Sequence, residues 1–146
     1  MNLDEGRVLI RHDRAQTDAL VASVLDAMTR HGYPDASRFA VRLALEEALS
    51  NAFRHGHRGL PHDTPATVEF RVSDADVTLS IEDRGPGFRA DAVPDPTLDE
   101  NLELPSGRGL MLIRAYMASV HYNDKGNRVT MIYRKPAAKP APPRSR

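Results

Sequence analysis

Between residues 68 and 81 the chain holds two short runs in which apolar side chains recur at every second position. Val68, Phe70 and Val72 form the first, Val77, Leu79 and Ile81 the second, and Ser73-Asp74-Ala75-Asp76 separates them. Period-two alternation describes a strand with one face in the core, so the pair reads as an antiparallel hairpin with one buried face. Such a face has to be covered, and the chain supplies amphipathic helices for it. From about 15 to 31, Leu20, Val24, Leu25 and Met28 recur at helical spacing, and Gly32-Tyr33-Pro34 ends the segment. A second helix, capped by Asp35 or Ser37, is expected through His55, with Val41, Leu45, Ala48, Leu49 and Ala52 as its apolar stripe and Gly56 as its stop.

Residues 7–12 (RVLIRH) read as a strand that enters the first helix, with Asp13 and Gln16 in capping-box spacing. Residues 59–65 are loop. The stretch 85–106 carries four prolines and is too irregular for a regular element; a loop of that length in a compact domain is usually a functional lid. Gly107-Arg108-Gly109 opens a third helix with Leu110, Ile113, Ala115 and Met117, followed near Val120 by a strand, a turn at Asn123–Asn127 and a last strand at 128–134. The expected architecture is α+β, a two-layer sandwich of a mixed, mainly antiparallel sheet with helices on one face. Residues 1–135 form one domain of ordinary size, and 136–146, rich in proline and basic residues without a large apolar side chain, are expected to be a disordered tail.

Twenty basic and twenty acidic residues give zero formal charge, so the long-range field that draws proteins to nucleic acid or anionic membranes is missing. Neither is expected as a direct partner. The absence of cysteine excludes disulfides and thiolate ligands. An acidic opening and the lack of a long apolar run make a soluble, cytoplasmic protein the expectation. No internal repeat is visible.

Three local patterns carry chemistry. Glu47, Asn51 and His55 are spaced by four on the second helix and would share one flank, where a carboxylate and a carboxamide oxygen suit Mg²⁺, or the carboxylate a proton in transit. A solvated helix surface has the same spacing. Asp83 continues the period of Val77, Leu79 and Ile81 and so faces the buried side where its strand ends. Gly85 and Gly87 behind it would let a flat ligand lie on backbone, although Asp-x-Gly is also an ordinary turn. Gly107-x-Gly109 at a helix start presents free N–H groups to an anion, with Arg108 placed to add charge. His55, His57 and His62 raise the question of zinc, but three histidines without a settled scaffold are more often solvent or cap residues, and His55 is expected instead to shape the phosphate end.

In chain order, EEALSNAFRHG, EDRGPGF and PSGRGLMLI resemble the N, G1 and G2 boxes of the histidine-kinase-like ATPases, the superfamily of gyrase, heat-shock chaperones, mismatch-repair proteins and sensor kinases. The resemblance spans about residues 35–120, and the NAxxHG ending is similar to that of the anti-sigma-factor serine kinases. It implies ATP and Mg²⁺ as cofactors, Glu47 as general base, Asn51 as the Mg²⁺ ligand and Asp83 as adenine anchor. Gly85 and Gly87 would floor the base pocket; Gly107 and Gly109 would hold phosphates, with Arg54 or Arg108 assisting and His55 and Leu110 on the cofactor side. The implied activity is a protein serine/threonine kinase acting on an anti-sigma-factor antagonist and holding a sigma factor, with a homodimer possible. A nucleotide-gated binding module without catalysis is the alternative. Only about thirty-five residues precede the second helix, too few for the helical hairpin of a sensor kinase, and the added domain of gyrase-like or chaperone-like members is not expected.

Overall fold

The computed structural model describes residues 3–86 and 113–137. Gly87, Gly107, Arg108, Gly109 and Leu110, the expected lid beyond Pro86, the start of the third helix and the expected tail from residue 138 onward lie outside the described residues.

The sheet is built from β1 (Leu3–Ile10), β2 (Ala66–Ser73), β3 (Asp76–Glu82), β4 (Ser119–Tyr122) and β5 (Arg128–Arg134), in the order β1-β2-β3-β5-β4. Adjacent strands among the described residues are antiparallel. The hairpin register pairs Val68 with Ile81, Phe70 with Leu79 and Val72 with Val77, so both apolar sets share a face, and Met131 and Val129 of β5 extend it. Helices α1 (Arg14–Arg30) and α2 (Asp35–Asn51) cover that face. They bring Leu20, Val24 and Met28, and Val41, Leu45 and Leu49, into one core. Each large side chain fully removed from water there contributes roughly 1.5–3 kcal/mol. The opposite face is mainly polar, with Leu9 and Ile132 among its apolar residues. Ser80 and Thr130 hydrogen-bond at 2.9 Å, and Glu69 lies between Arg7 at 3.6 Å and Arg128 at 3.5 Å. A sheet with one face buried under helices is what makes this α+β. No helix among the described residues is long and apolar enough to cross a membrane.

Three element expectations are corrected. β1 occupies Leu3–Ile10 and not 7–12, because it pairs with β2 from Leu3↔Ser73 to Ile10↔Ala66. Its acidic residues find cations, Asp4 at Arg30 (3.3 Å) and Glu5 at Arg71 (3.8 Å), while Arg11 belongs to the turn into α1. Asp13 does cap α1, accepting from Gln16 N at 3.2 Å; Gln16 reaches back to the amide of Arg11, at 2.8 Å, where a capping box would use that of Asp13. Neither Asp35 nor Ser37 caps α2. Pro34 holds the N-cap position, with φ −73° and ψ 167° presetting the entry, and its carbonyl accepts from Ser37 N and Arg38 N. Asp35 pairs with Arg38, and buried Ser37 accepts from the Tyr133 hydroxyl at 2.8 Å.

At the hairpin end, the α1–α2 turn is tied to the sheet by polar groups that sequence reading left unremarked. His31 is buried, with Nδ1 2.5 Å from Asp74 and Nε2 2.9 Å from Asp4. Lys135 donates to the His31 carbonyl at 2.6 Å, and the Tyr33 hydroxyl to the Ser73 carbonyl at 2.8 Å. Asp74, with help from Asp4 and against the cost of burial, raises the His31 pKa. Arg30 and then His31 lower that of Asp4, and His31 lowers that of Asp74.

Candidate functional site

The end of α2 departs from a regular helix. After Asn51 the chain widens into a π-helical turn, Ala52–Gly56, closed by His57 N donating to Ala52 O at 2.9 Å, a step of five residues. Such insertions concentrate at functional sites because they re-aim the side chains that follow. Glu47 and Asn51 precede the insertion, so they keep the shared flank expected of them. Both are half-buried, and their side chains make no hydrogen bond or ion pair among the described residues. The adjacent Glu46 is engaged, by Arg42 at 2.9 Å and Arg14 at 3.9 Å, so of the two neighbouring glutamates Glu47 is the one left for other work.

His55 lies four residues beyond Asn51, inside the π-helical turn. Its Nε2 is buried with no hydrogen-bond partner among the described residues. Burial, then Arg58 and Arg54, lowers its pKa, which favours the neutral ring. Arg54 is exposed in the same turn.

The π-helical turn delivers Gly56 to the end of β3. A Cβ on Gly56 would overlap the Asp83 carboxylate, and a Cβ on Gly85 would overlap the Gly56 carbonyl. Positive φ among the described glycines occurs at Gly32, Gly59 and Gly126, not at Gly56. Gly56 ends the helical run, as expected, without a positive φ; it is a glycine because two stretches of backbone meet there. The segment ending α2 and the segment following β3 are thus in direct contact.

Asp83 is half-buried, and the amides around it are all accounted for. Asp83 N donates to Asn127 O at 2.8 Å, and Asn127 Nδ2 donates back to Asp83 O at 3.0 Å. Arg84 N donates to His57 Nε2 at 2.8 Å, and Gly85 N to Asp83 Oδ1 at 2.8 Å. Asn127 is itself fixed by Asn123, whose Nδ2 donates to Asn127 Oδ1 at 2.9 Å and whose Oδ1 accepts the amides of residues 126–128. Burial raises the Asp83 pKa, opposed mainly by the Gly85 amide, while Oδ2 makes no hydrogen bond among the described residues. Burial lowers the pKa of His57, consistent with a neutral ring whose Nε2 lone pair accepts and whose proton sits on Nδ1.

Of the residues expected to act together, Glu47, Asn51, Arg54 and His55 stand on α2 and its π-helical turn, and Asp83 and Gly85 on the turn against which Gly56 packs. Sequence reading missed Gly56 as a contact residue, His57 as a hydrogen-bond acceptor and Asn127 as a brace. The HG step in NAFRHG was the available signal for the first; Asn127 had none, because its partner lies 44 positions away.

No curated protein sequence matches the chain. A family model described as the histidine kinase-like ATPase domain matches residues 10–133, a span that takes in both helices, the π-helical turn, Asp83 and nearly all of strands β2 to β5, and the chain belongs to that family of ATP-binding domains.

Proposed function

We propose that the chain binds ATP with Mg²⁺ where the end of α2 meets the Asp83–Gly85 turn, and that it transfers a phosphoryl group to a serine of an anti-sigma-factor antagonist, holding a sigma factor in one nucleotide state. The observation that carries this reading is the Asp83 carboxylate, braced through its backbone and framed by two glycines that admit no side chain. These residues suit an adenine nucleotide: Asp83 Oδ2 is without a hydrogen-bond partner among the described residues, and so is buried His55 Nε2.

When bound, ATP supplies the γ-phosphoryl group and Mg²⁺ the charge neutralisation; the protein's part is mostly positioning. Asp83 accepts a hydrogen bond from the adenine amino group, on a floor of Gly85 and Gly87. Asn51 offers its carboxamide oxygen to the cation. Gly107, Gly109 and Arg108 attend the phosphates, with Arg54, His55 and Leu110 around them. Glu47, free of the pairing that engages Glu46, accepts the proton of the serine hydroxyl.

Incubation with radiolabelled ATP, magnesium and the antagonist tests this. Wild type labels a serine on the antagonist, and Glu47→Ala slows labelling by roughly 10²–10⁴-fold while still binding ATP. Equal labelling by the variant shows that Glu47 is not the base. ATP binding by wild type with no labelling of any antagonist favours a nucleotide-gated binding module instead.

A further inference from the structure

His57, one of the three histidines that raised the question of zinc, has its ring committed elsewhere. The π-helical turn brings the His57 backbone to Ala52 O and sets Nε2 2.8 Å from the Arg84 amide. Phe53 meets the ring edge-on at 5.7 Å between centroids. The ring also lines a pocket of about 240 Å³, shared with His12, Phe53, Leu60, Pro61 and His62. Of the three consecutive amides at residues 83–85, the first is held by Asn127 and the third by Asp83 itself. The middle one alone is held from the α2 side, so among the described residues His57 supplies the hydrogen bond that couples the π-helical turn to the segment carrying Asp83.

That bond needs a bare Nε2. A protonated ring would turn an N–H toward the Arg84 N–H, and the acceptor would be lost. We propose that His57 is a positioning residue for the nucleotide base: its unprotonated Nε2 seats the Asp83–Gly85 turn against the end of α2, and protonation of that nitrogen unseats the turn and weakens adenine-nucleotide binding. The inference rests on the nucleotide reading given above. The charged or titratable groups around the ring are Asp83 and Arg84 on the turn, His12 ahead of α1, His62 in the following loop, and Arg58 beside it in sequence. Burial keeps His57 below the ordinary imidazole pKa of 6.5, so the bond persists at neutral pH and is lost only on acidification beyond that range.

Titration calorimetry with ADP and magnesium, run from about pH 8 to about pH 5 across the imidazole range, compares wild type with His57→Gln and His57→Phe. Glutamine offers a non-titrating oxygen in place of Nε2; phenylalanine fills the ring volume with no acceptor. At the upper pH the Phe variant binds roughly fivefold to tenfold more weakly, as for a lost neutral hydrogen bond, and the Gln variant stays within about twofold of wild type. On acidification wild type loses affinity that the Gln variant, which has no titrating group at that position, keeps; any loss from protonation of Asp83 is common to both. Wild-type-like affinity in the Phe variant, or a Gln profile that superimposes on wild type, overturns the inference while leaving nucleotide binding intact. If the Phe variant does not fold by circular dichroism, the Gln profile decides alone. A wild-type protein that takes up no ADP at either pH overturns the nucleotide reading, and this inference with it.

Discussion

Gly56 and Gly85 are glycines for want of room: a Cβ on the first would enter the Asp83 carboxylate, and a Cβ on the second would enter the Gly56 carbonyl. Gly56→Ala should therefore push the π-helical turn and the Asp83 segment apart while leaving the core of α1, α2 and the sheet in place. The expected cost is about 1–3 kcal/mol of stability, typical of overpacking, with ADP affinity reduced at least about tenfold; thermal melts and calorimetry read the two separately. Asp83→Asn makes a sharper case. Its amide oxygen can still accept from Gly85 N, but the charged acceptor for an adenine amino group is gone, and a loss of roughly tenfold or more in affinity is expected. Stability should move the other way. Burial raises the Asp83 pKa, so the ionised carboxylate is disfavoured in the folded state at neutral pH, and the neutral amide removes that penalty. A variant that binds less well yet melts higher at neutral pH fits a residue kept for a ligand; one that melts lower shows that Asp83 is there for the fold.

At the scale of elements, His31 joins β1, the α1–α2 turn and the β2–β3 hairpin through Asp4 and Asp74, with Lys135 beyond β5 on its carbonyl. The signs of the shifts define a window. Because the folded His31 pKa is raised, its contribution is complete below the ordinary value of 6.5 and is lost as pH rises through the folded value. Because those of Asp4 and Asp74 are lowered, their contribution is complete above 3.8 and is lost as pH falls through the folded values. Wild type should melt highest between these limits and lose stability on the alkaline side, and His31→Gln should flatten the alkaline limb; parallel melting curves for the two proteins would show that the pairing contributes nothing. Such long-range pairings also mark where sequence reading stopped. The β2–β3 hairpin was legible because its partners are neighbours and alternate cleanly, whereas the start of β1 was hidden by Asp4 and Glu5, whose cations are distant in sequence. Helical periodicity carried α2 through His55 without registering the inserted residue, since a stripe of Val41, Leu45, Ala48, Leu49 and Ala52 is the same with or without a π-helical turn after it.

Among the described residues the sheet has one apolar face covered by α1 and α2, and two polar constellations sit at opposite ends of β3. His31 and Asp74 lie toward the hairpin end, and Asp83 with Gly56, His57 and Asn127 lies where β3 finishes. Groups so separated and without shared partners should act additively. His31→Gln is expected to leave ADP affinity within about twofold of wild type, and Gly56→Ala to leave the pH dependence of melting in place; cross-talk between the two would show that the sheet transmits strain. Of the candidate site, Glu47, Asn51, Asp83 and Gly85 were legible as local patterns, while Gly56, His57 and Asn127 acquire their roles only when the chain folds back on itself. The most direct test of the central claim, that the end of α2 and the Asp83–Gly85 turn form one nucleotide site, is titration calorimetry of the purified chain with ATP and magnesium. A saturable one-to-one association that Asp83→Ala abolishes is the expected result. No heat with wild type, or undiminished binding in Asp83→Ala, would contradict it.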